Sequence, residues 1–272
     1  MAALDETTLQ GDVAAARRGD RDALERVVRA IQDPIYHLAM RMLGHPDDAR
    51  DASQEVLVRV VTKLDSFRGD SRFMTWVYRV ATNALLDTRK ALRRRESTFD
   101  ELGSALDAAV AAWSPQSPPV DRLVLDEAKQ VCTQGMLLCL DRPHRLAYIL
   151  GEILELSGED AAAVLEITPA AYRKRLSRAR EDMEAFLGGR CGLANPGVAC
   201  RCHKLAPAAI ASGLIDPARL ALAKLPVRRV DRLSVDIERV RTAAEVFRSL
   251  PVYASSKDFA AQLRDLLDPG AN

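Results

Sequence analysis

The chain has 272 residues, 48% hydrophobic and 28% charged with only 5% aromatics, which excludes a disordered chain and suits about two globular domains. Its 39 Lys and Arg face 38 Asp and Glu, so a bulk polyanion binder of the histone kind is excluded. Glu152 and Glu155 break the longest apolar run, Leu146–Leu156, so no stretch reaches the roughly 20 residues that cross a bilayer; the start, MAALDETTLQ, has no apolar signal segment, and a cytoplasmic chain without membrane insertion is expected.

Abundant Ala and Leu, scarce aromatics and the lack of alternating Val/Ile/Thr runs predict an all-α fold. Helical periodicity covers most of residues 10–96 and 123–187. In the first stretch Ala49, Ala52, Val56, Val60 and Leu64 form one apolar side. Asp51, Gln54 and Glu55 are neighbours on the opposite face, at i, i+3 and i+4. An acidic and amide patch repels phosphate, so it suits a protein partner, and ordinary surface decoration explains it equally well.

From Trp76 to Arg94 the periodicity resolves into two stripes. Val77, Ala81, Ala84, Leu85 and Leu92 face a core, while Trp76, Arg79, Asn83, Asp87, Lys90 and Arg94 line up beside them. Cations for phosphate, an amide for base edges and a ring for stacking suit nucleic acid. A core Trp76 with solvated cations is the competing reading. Arg89–Arg95 (RKALRRR) is the first of two basic clusters in an otherwise neutral chain.

Ser97–Val120 contains AAWSPQSPPV, whose prolines forbid a continuing helix, and reads as a linker. Beyond it, Ser157 before Gly158-Glu159-Asp160 is a helix start with an acid three residues on. Thr168-Pro169 is a second start, Thr as cap and Pro at the first helical position. Two helices with a short turn between them predict a helix-turn-helix. On the second, Tyr172, Leu176, Ala179 and Met183 point inward, and Arg173, Lys174, Ser177 and Arg178 point outward within the second basic cluster, Arg173–Arg180. Small residues at its start, Ala170 and Ala171, permit close approach to a major groove.

A turn rich in Gly, Pro and Cys follows Phe186. Cys191, Cys200, Cys202 and His203 offer three thiolates and an imidazole, compatible with zinc or another metal. Their C-x-C spacing is tighter than usual, so a thiol switch and a local structural role stay open. Cys132 and Cys139, about 10 Å apart along one helix, cannot bridge each other and are expected in the core. The tail returns to helical patterning, punctuated by Pro207, Pro217, Pro226 and Pro251. Val235, Val240, Ala243, Ala244, Phe247 and Leu250 suit the buried side of one helix, and Phe259, Leu263, Leu266 and Leu267 that of another. Such a tail is expected to pack on one of the domains and control access to its partners.

The stretch from Asp47 to Asp87 resembles the RNA polymerase sigma factors of the extracytoplasmic-function class. The resemblance rests on D-x-x-Q-E at Asp51, Gln54 and Glu55, F-x-G at Phe67 and Gly69, F-x-T-W at Phe73–Trp76, and A-x-N-x-x-x-D at Ala81, Asn83 and Asp87. Residues 140–181 are similar to the helix-turn-helix domain of the same class. The resemblance implies two small helical domains, the sigma region 2 bundle at 1–96 and region 4 at 126–188, joined by the Pro-rich linker 97–125 and followed by a Cys-bearing extension, 189–272.

It further implies a non-enzymatic initiation factor needing no cofactor, with core RNA polymerase and promoter DNA as partners and an anti-sigma factor as a further one. Asp51, Gln54 and Glu55 would then contact the polymerase clamp. The loop and helix from Phe67 to Lys90 would melt the minus-ten element, with Asn83 and Asp87 near a flipped base. Region 4, through Ala170, Arg173, Lys174, Ser177 and Arg178, would read the minus-thirty-five element. Met74 stands where the family more often has a cation, and Glu166 where it usually has a turn glycine, which is tolerated if φ is negative. A free-standing helix-turn-helix regulator would leave the acidic patch without a purpose. A metal- or thiol-dependent enzyme built on the Cys191–His203 cluster lacks a partnered general base.

Overall fold

Asp20 opens the longest helix of the first domain, its carboxylate accepting from the Ala23 N–H at 3.0 Å, and Gly44 closes it in the left-handed region at φ 72°. This helix, α2 (Arg21–Leu43), packs against α1 (Glu6–Ala16), α3 (Pro46–Thr62) and α4 (Phe73–Asp87). Val27, Ile31, Ile35, Val56, Val77 and Leu85 are fully buried at the centre, each stabilising by about 1.5–3 kcal/mol. The computed structural model describes residues 6–87, 97–228, 242–255 and 258–262. Lys90, Arg94 and the rest of the Arg89–Arg95 cluster, Leu92, Val235, Val240, Leu263, Leu266 and Leu267 lie outside the described residues.

The expected linker, 97–125, is not extended throughout. Its first half is a helix, α5 (Phe99–Ala112), opened by a capping box in which Thr98 and Glu101 satisfy each other's backbone N–H groups. The prolines act only after Ala112, and residues 113–121 carry the irregular connection to α6 (Arg122–Cys139).

The second domain continues with α7 (Arg142–Tyr148), a π-helical turn at Ile149–Ile153, α8 (Gly158–Val164) and α9 (Pro169–Arg190). Ser157 and Thr168 cap α8 and α9 by accepting from the third helical N–H, at 3.0 and 3.2 Å, each cap worth about 1 kcal/mol. The turn between them contains Glu166 at φ 53°. The negative φ under which a non-glycine residue is tolerated there is therefore not the one adopted, and the backbone is left-handed at a cost of about 1–2 kcal/mol.

The domains are joined through a buried cation. Arg145 donates to the carbonyls of Leu137, Leu138 and Leu140 at 2.8, 2.9 and 2.8 Å, and to Met42 O at the end of α2 at 3.1 Å. Gly44 lets α2 come this close: a Cβ there would meet Gln134 Cγ at 3.0 Å and Leu138 Cδ1 at 3.1 Å.

The tail forms α10 (Cys202–Ala211), α11 (Ala243–Arg248) and a two-residue antiparallel pairing of β1 (Val227–Arg228) with β2 (Val252–Tyr253). This pairing is the one extended ladder among the described residues, so the fold is all-α. The tail packs on both domains. On the second, the buried Glu127 carboxylate accepts from the N–H groups of Ala221, Leu222 and Ala223 at 2.6–3.1 Å. On the first, Tyr253 N donates to His37 Nδ1 at 3.1 Å while its ring lies 4.8 Å from the Arg41 guanidinium. The Tyr253 hydroxyl returns to Gln130 of α6 at 3.1 Å. No helix among the described residues is long and apolar enough to cross a membrane.

Candidate nucleic-acid interface

Helix α3 buries Ala49, Ala52, Val56 and Val60 against α2, which turns Asp51, Gln54 and Glu55 to solvent together with Val58, 55% exposed. Glu55 is held by Arg59 at 2.5 Å, and Arg59 also reaches Asp87 of α4 at 3.7 Å. The patch is therefore an exposed, partly neutralised ridge of mixed acid, amide and apolar character.

Helix α4 departs from the two-stripe reading. Trp76 is only 5% exposed, stacked on Phe73 at 5.8 Å and tilted against Phe67 at 5.6 Å, so it belongs to the core and not to the outward line. The physical reason is that α4 is covered on two sides: α2 and α3 lie beneath it, and α8 of the second domain lies across it. Every residue from Phe73 to Tyr78 is consequently buried. Arg79 is half-buried, while Asn83 and Asp87 remain exposed.

Two side chains of α4 touch the helix-turn-helix directly. Thr75 Oγ1 donates to Asp160 Oδ1 at 3.0 Å, and Asn83 Nδ2 donates to Glu166 Oε2 at 3.5 Å. Thr75 was not singled out by the sequence, although it occupies the third position of the F-x-T-W run.

Helix α9 follows its wheel. Tyr172, Leu176, Ala179 and Met183 are buried, and Ala170, Arg173, Lys174, Ser177 and Arg178 are exposed along one side. Ser177 donates to Glu181 at 2.9 Å. Arg180, at the edge of the basic face, instead donates to Glu152 Oε1 at 2.6 Å, and Arg248 of the tail reaches the same carboxylate at 3.1 Å. The remaining cations form a convex, positively charged helix side of a size that fits a major groove.

In the cysteine turn, Cys191, Cys200 and Cys202 come together but His203 does not join them. Adjacent residues of a helix point about 100° apart, so with Cys202 turned inward His203 is exposed, its ring 5.6 Å from Trp113 and edge-on to it. Cys132 lines the same cavity as the three, which its expected place as a plain core residue did not foresee. Burial pushes the Cys132 thiol well up, and the neighbouring thiols add to the effect; burial likewise pushes Cys202 up to about 11.

Comparison with known proteins adds to this geometry. A family model described as Sigma-70 region 2 matches residues 27–97, and one described as Sigma-70, region 4 matches residues 130–183. The ECF RNA polymerase sigma factor SigW of Bacillus subtilis (strain 168) is 30% identical over 192 residues, which are 67% of this chain and 98% of that protein. The RNA polymerase sigma-H factor of Pseudomonas aeruginosa is 31% identical over 178 residues, 64% of this chain and 91% of the relative. The ECF RNA polymerase sigma-E factor of Escherichia coli (strain K12) is 30% identical over 182 residues, 66% of this chain and 94% of the relative. Among solved structures, CnrH in complex with the cytosolic domain of CnrY aligns with 68% of this chain and 97% of that chain, at 24% identity and a TM-score of 0.45.

Proposed function

The chain belongs to the extracytoplasmic-function sigma factors of RNA polymerase, and from that premise we propose which surface performs each part of the work. As a member, it is a transcription initiation factor that binds core RNA polymerase and directs it to specific promoters. In our reading it acts in the cytoplasm beside the polymerase and carries no catalytic step of its own.

The ridge of Asp51, Gln54 and Glu55 is the polymerase contact. Its exposure on a helix whose other face is fully committed to the core supports this, as does Val58 beside it, an apolar side chain left to solvent. Asn83, Asp87 and half-buried Arg79 supply the polar edge that reads the minus-ten element. Trp76 contributes by holding the Phe67–Phe73 corner rigid and not by stacking on a base. Ala170, Arg173, Lys174, Ser177 and Arg178 read the minus-thirty-five element.

The observation that carries the mechanism is the Thr75–Asp160 hydrogen bond. Two reading domains joined at 3.0 Å through α4 and α8 cannot both engage elements whose names set them about 25 base pairs, or ~85 Å of duplex, apart. The described conformation is therefore a closed one, and promoter binding requires α8 to leave α4. Ligands shift such an equilibrium only through differential affinity. Core polymerase, gripping the two domains separately, is the ligand that opens it. The tail holds them together through Glu127 on one side and His37 and Arg41 on the other, and so opposes opening. An anti-sigma factor, the further partner in this reading, would act in the same direction from outside.

Run-off transcription from a promoter library with purified sigma-free core enzyme tests the function, and defined start sites that depend on the added chain are expected. A pull-down with Asp51→Ala and Glu55→Ala combined tests the docking ridge. Retention of full polymerase binding by that double variant contradicts the assignment.

A further inference from the structure

Four of the five cysteines line one cavity, a grouping that the spacing of the sequence does not reveal. Cys191, Cys200 and Cys202 come from the turn after α9 and the first residue of α10, and Cys132 from the middle of α6. All four line a cavity of about 30 Å³, room for one small species, and none of the four is paired in a disulfide.

The turn is shaped to bring them there. The Cys191 carbonyl accepts from Asn195 N at 2.8 Å, and Asn195 Nδ2 donates to Gly188 O at 2.7 Å. Arg201 donates to the carbonyls of Val198 and Cys200 at 2.7 Å and of Pro196 at 2.9 Å, gathering the loop around its guanidinium. Gly192 is required because any side chain would overlap the Cys200 carbonyl and Arg201. Lys129 and Arg201 border the cavity and supply positive charge beside the sulfurs.

We propose that Cys132, Cys191, Cys200 and Cys202 are the ligands of a single thiophilic divalent cation, zinc by preference, which ties the tail to α6. Four sulfur donors select a tetrahedral, soft site and reject the oxygen-seeking Mg²⁺ and Ca²⁺. Cys191 is buried and Cys132, Cys200 and Cys202 are only partly exposed around the cavity, unlike the open thiols of redox sensors. Among the described residues no three His, Cys, Asp or Glu side chains stand close enough together to hold a metal ion, so the four thiols must turn toward the centre of the cavity on binding, to metal–sulfur bonds of about 2.3 Å. The inference does not rest on the sigma-factor reading.

The purified full-length chain, reduced and anaerobic, is titrated with cobalt(II) and then with zinc(II). One cobalt per chain is expected, with a sulfur-to-cobalt charge-transfer band and the intense visible bands of a tetrahedral site, bleached stoichiometrically by zinc. Cys132→Ser weakens cobalt binding by at least about 100-fold, while Cys139→Ser and His203→Gln leave it unchanged. Because Cys132→Ser also alters the packing of α6, Cys202→Ser is run beside it, and proteolysis of residues 204–228 is followed with and without metal. Metal slows cleavage in the wild type and in neither variant. Cobalt bound by Cys132→Ser as tightly as by the wild type, or lost in His203→Gln, overturns the ligand set. Metal that binds without slowing cleavage overturns the tether. A chain that takes up neither metal, or is isolated metal-free with these thiols as disulfides, overturns the site.

Discussion

Helix α9 holds Ala170, Arg173, Lys174, Ser177 and Arg178 to solvent along one open side, whereas α4 has Phe73–Tyr78 buried and Thr75 and Asn83 in contact with the neighbouring domain. Both helices read promoter DNA in our account, yet only one is presented to it in the closed chain. The difference lies in how the helices are covered. A recognition helix on the rim of a three-helix unit needs one buried stripe, while α4 sits between its own bundle and α8. Phosphate-binding charge on α9 is therefore free at once, whereas Asn83 of α4, though exposed, is engaged by Glu166 until the domains part.

The largest effect is expected where the domains are joined. Arg145→Leu leaves the carbonyls of Leu137, Leu138, Leu140 and Met42 without their shared donor, and thermal or denaturant unfolding should show a loss of about 1–3 kcal/mol for each carbonyl left unsatisfied. A variant within 1 kcal/mol of the wild type would mean that this buried guanidinium does not couple the domains.

Next come the two reading helices, compared through salt dependence. Arg178→Ala should lower the slope of log affinity against log salt by about one unit and weaken binding to all sequences alike. Asn83→Ala should leave the slope unchanged and lose discrimination at the minus-ten element, by about 1–3 kcal/mol for the favoured base. Reversal of these two signatures would exchange the roles assigned to α4 and α9.

A smaller effect is expected from pH. Burial, with Arg41 alongside, holds the His37 imidazole well below its ordinary value, and its Nδ1 accepts from Tyr253 N. The opened or unfolded chain binds this proton more readily, so tail docking is fully favoured above the free histidine pKa of about 6.5 and weakens as pH falls below it. Hydrogen exchange at Tyr253, measured between pH 7.5 and 5.5, should show that loosening, and His37→Gln should flatten the profile. Smallest is Glu166→Gly. It relieves the left-handed strain of about 1–2 kcal/mol while giving up a 3.5 Å contact with Asn83, so thermal unfolding should show a slight gain in stability.

Local chemistry was legible in the sequence wherever one segment determined the outcome. The caps at Ser157 and Thr168, the buried stripe Tyr172–Met183 and the outward acidic ridge of α3 all follow from residues a few positions apart. Helix α5 was equally available in the Thr98–Glu101 capping box, but the prolines beyond Ala112 drew the whole stretch into a linker. What could not be read depends on chain segments far apart. Trp76 is buried by the Phe67–Phe73 corner and by a bundle that α8 overlies from about 85 residues on. Cys132 meets Cys202 only through the fold of the tail, and Tyr253 reaches His37 across 216 positions. Glu166 adopts a positive φ because the turn requires it, against the residue's own preference.

The most direct measurement joins Thr75→Cys to Asp160→Cys across their hydrogen-bonded positions and follows run-off transcription with core polymerase, the wild-type chain serving as control for the native thiols. Oxidation should abolish transcription by the cross-linked chain alone, and reductant should restore it. If the oxidised, cross-linked chain initiates as well as the reduced one, α4 and α8 need not separate, and the closed-to-open account is wrong.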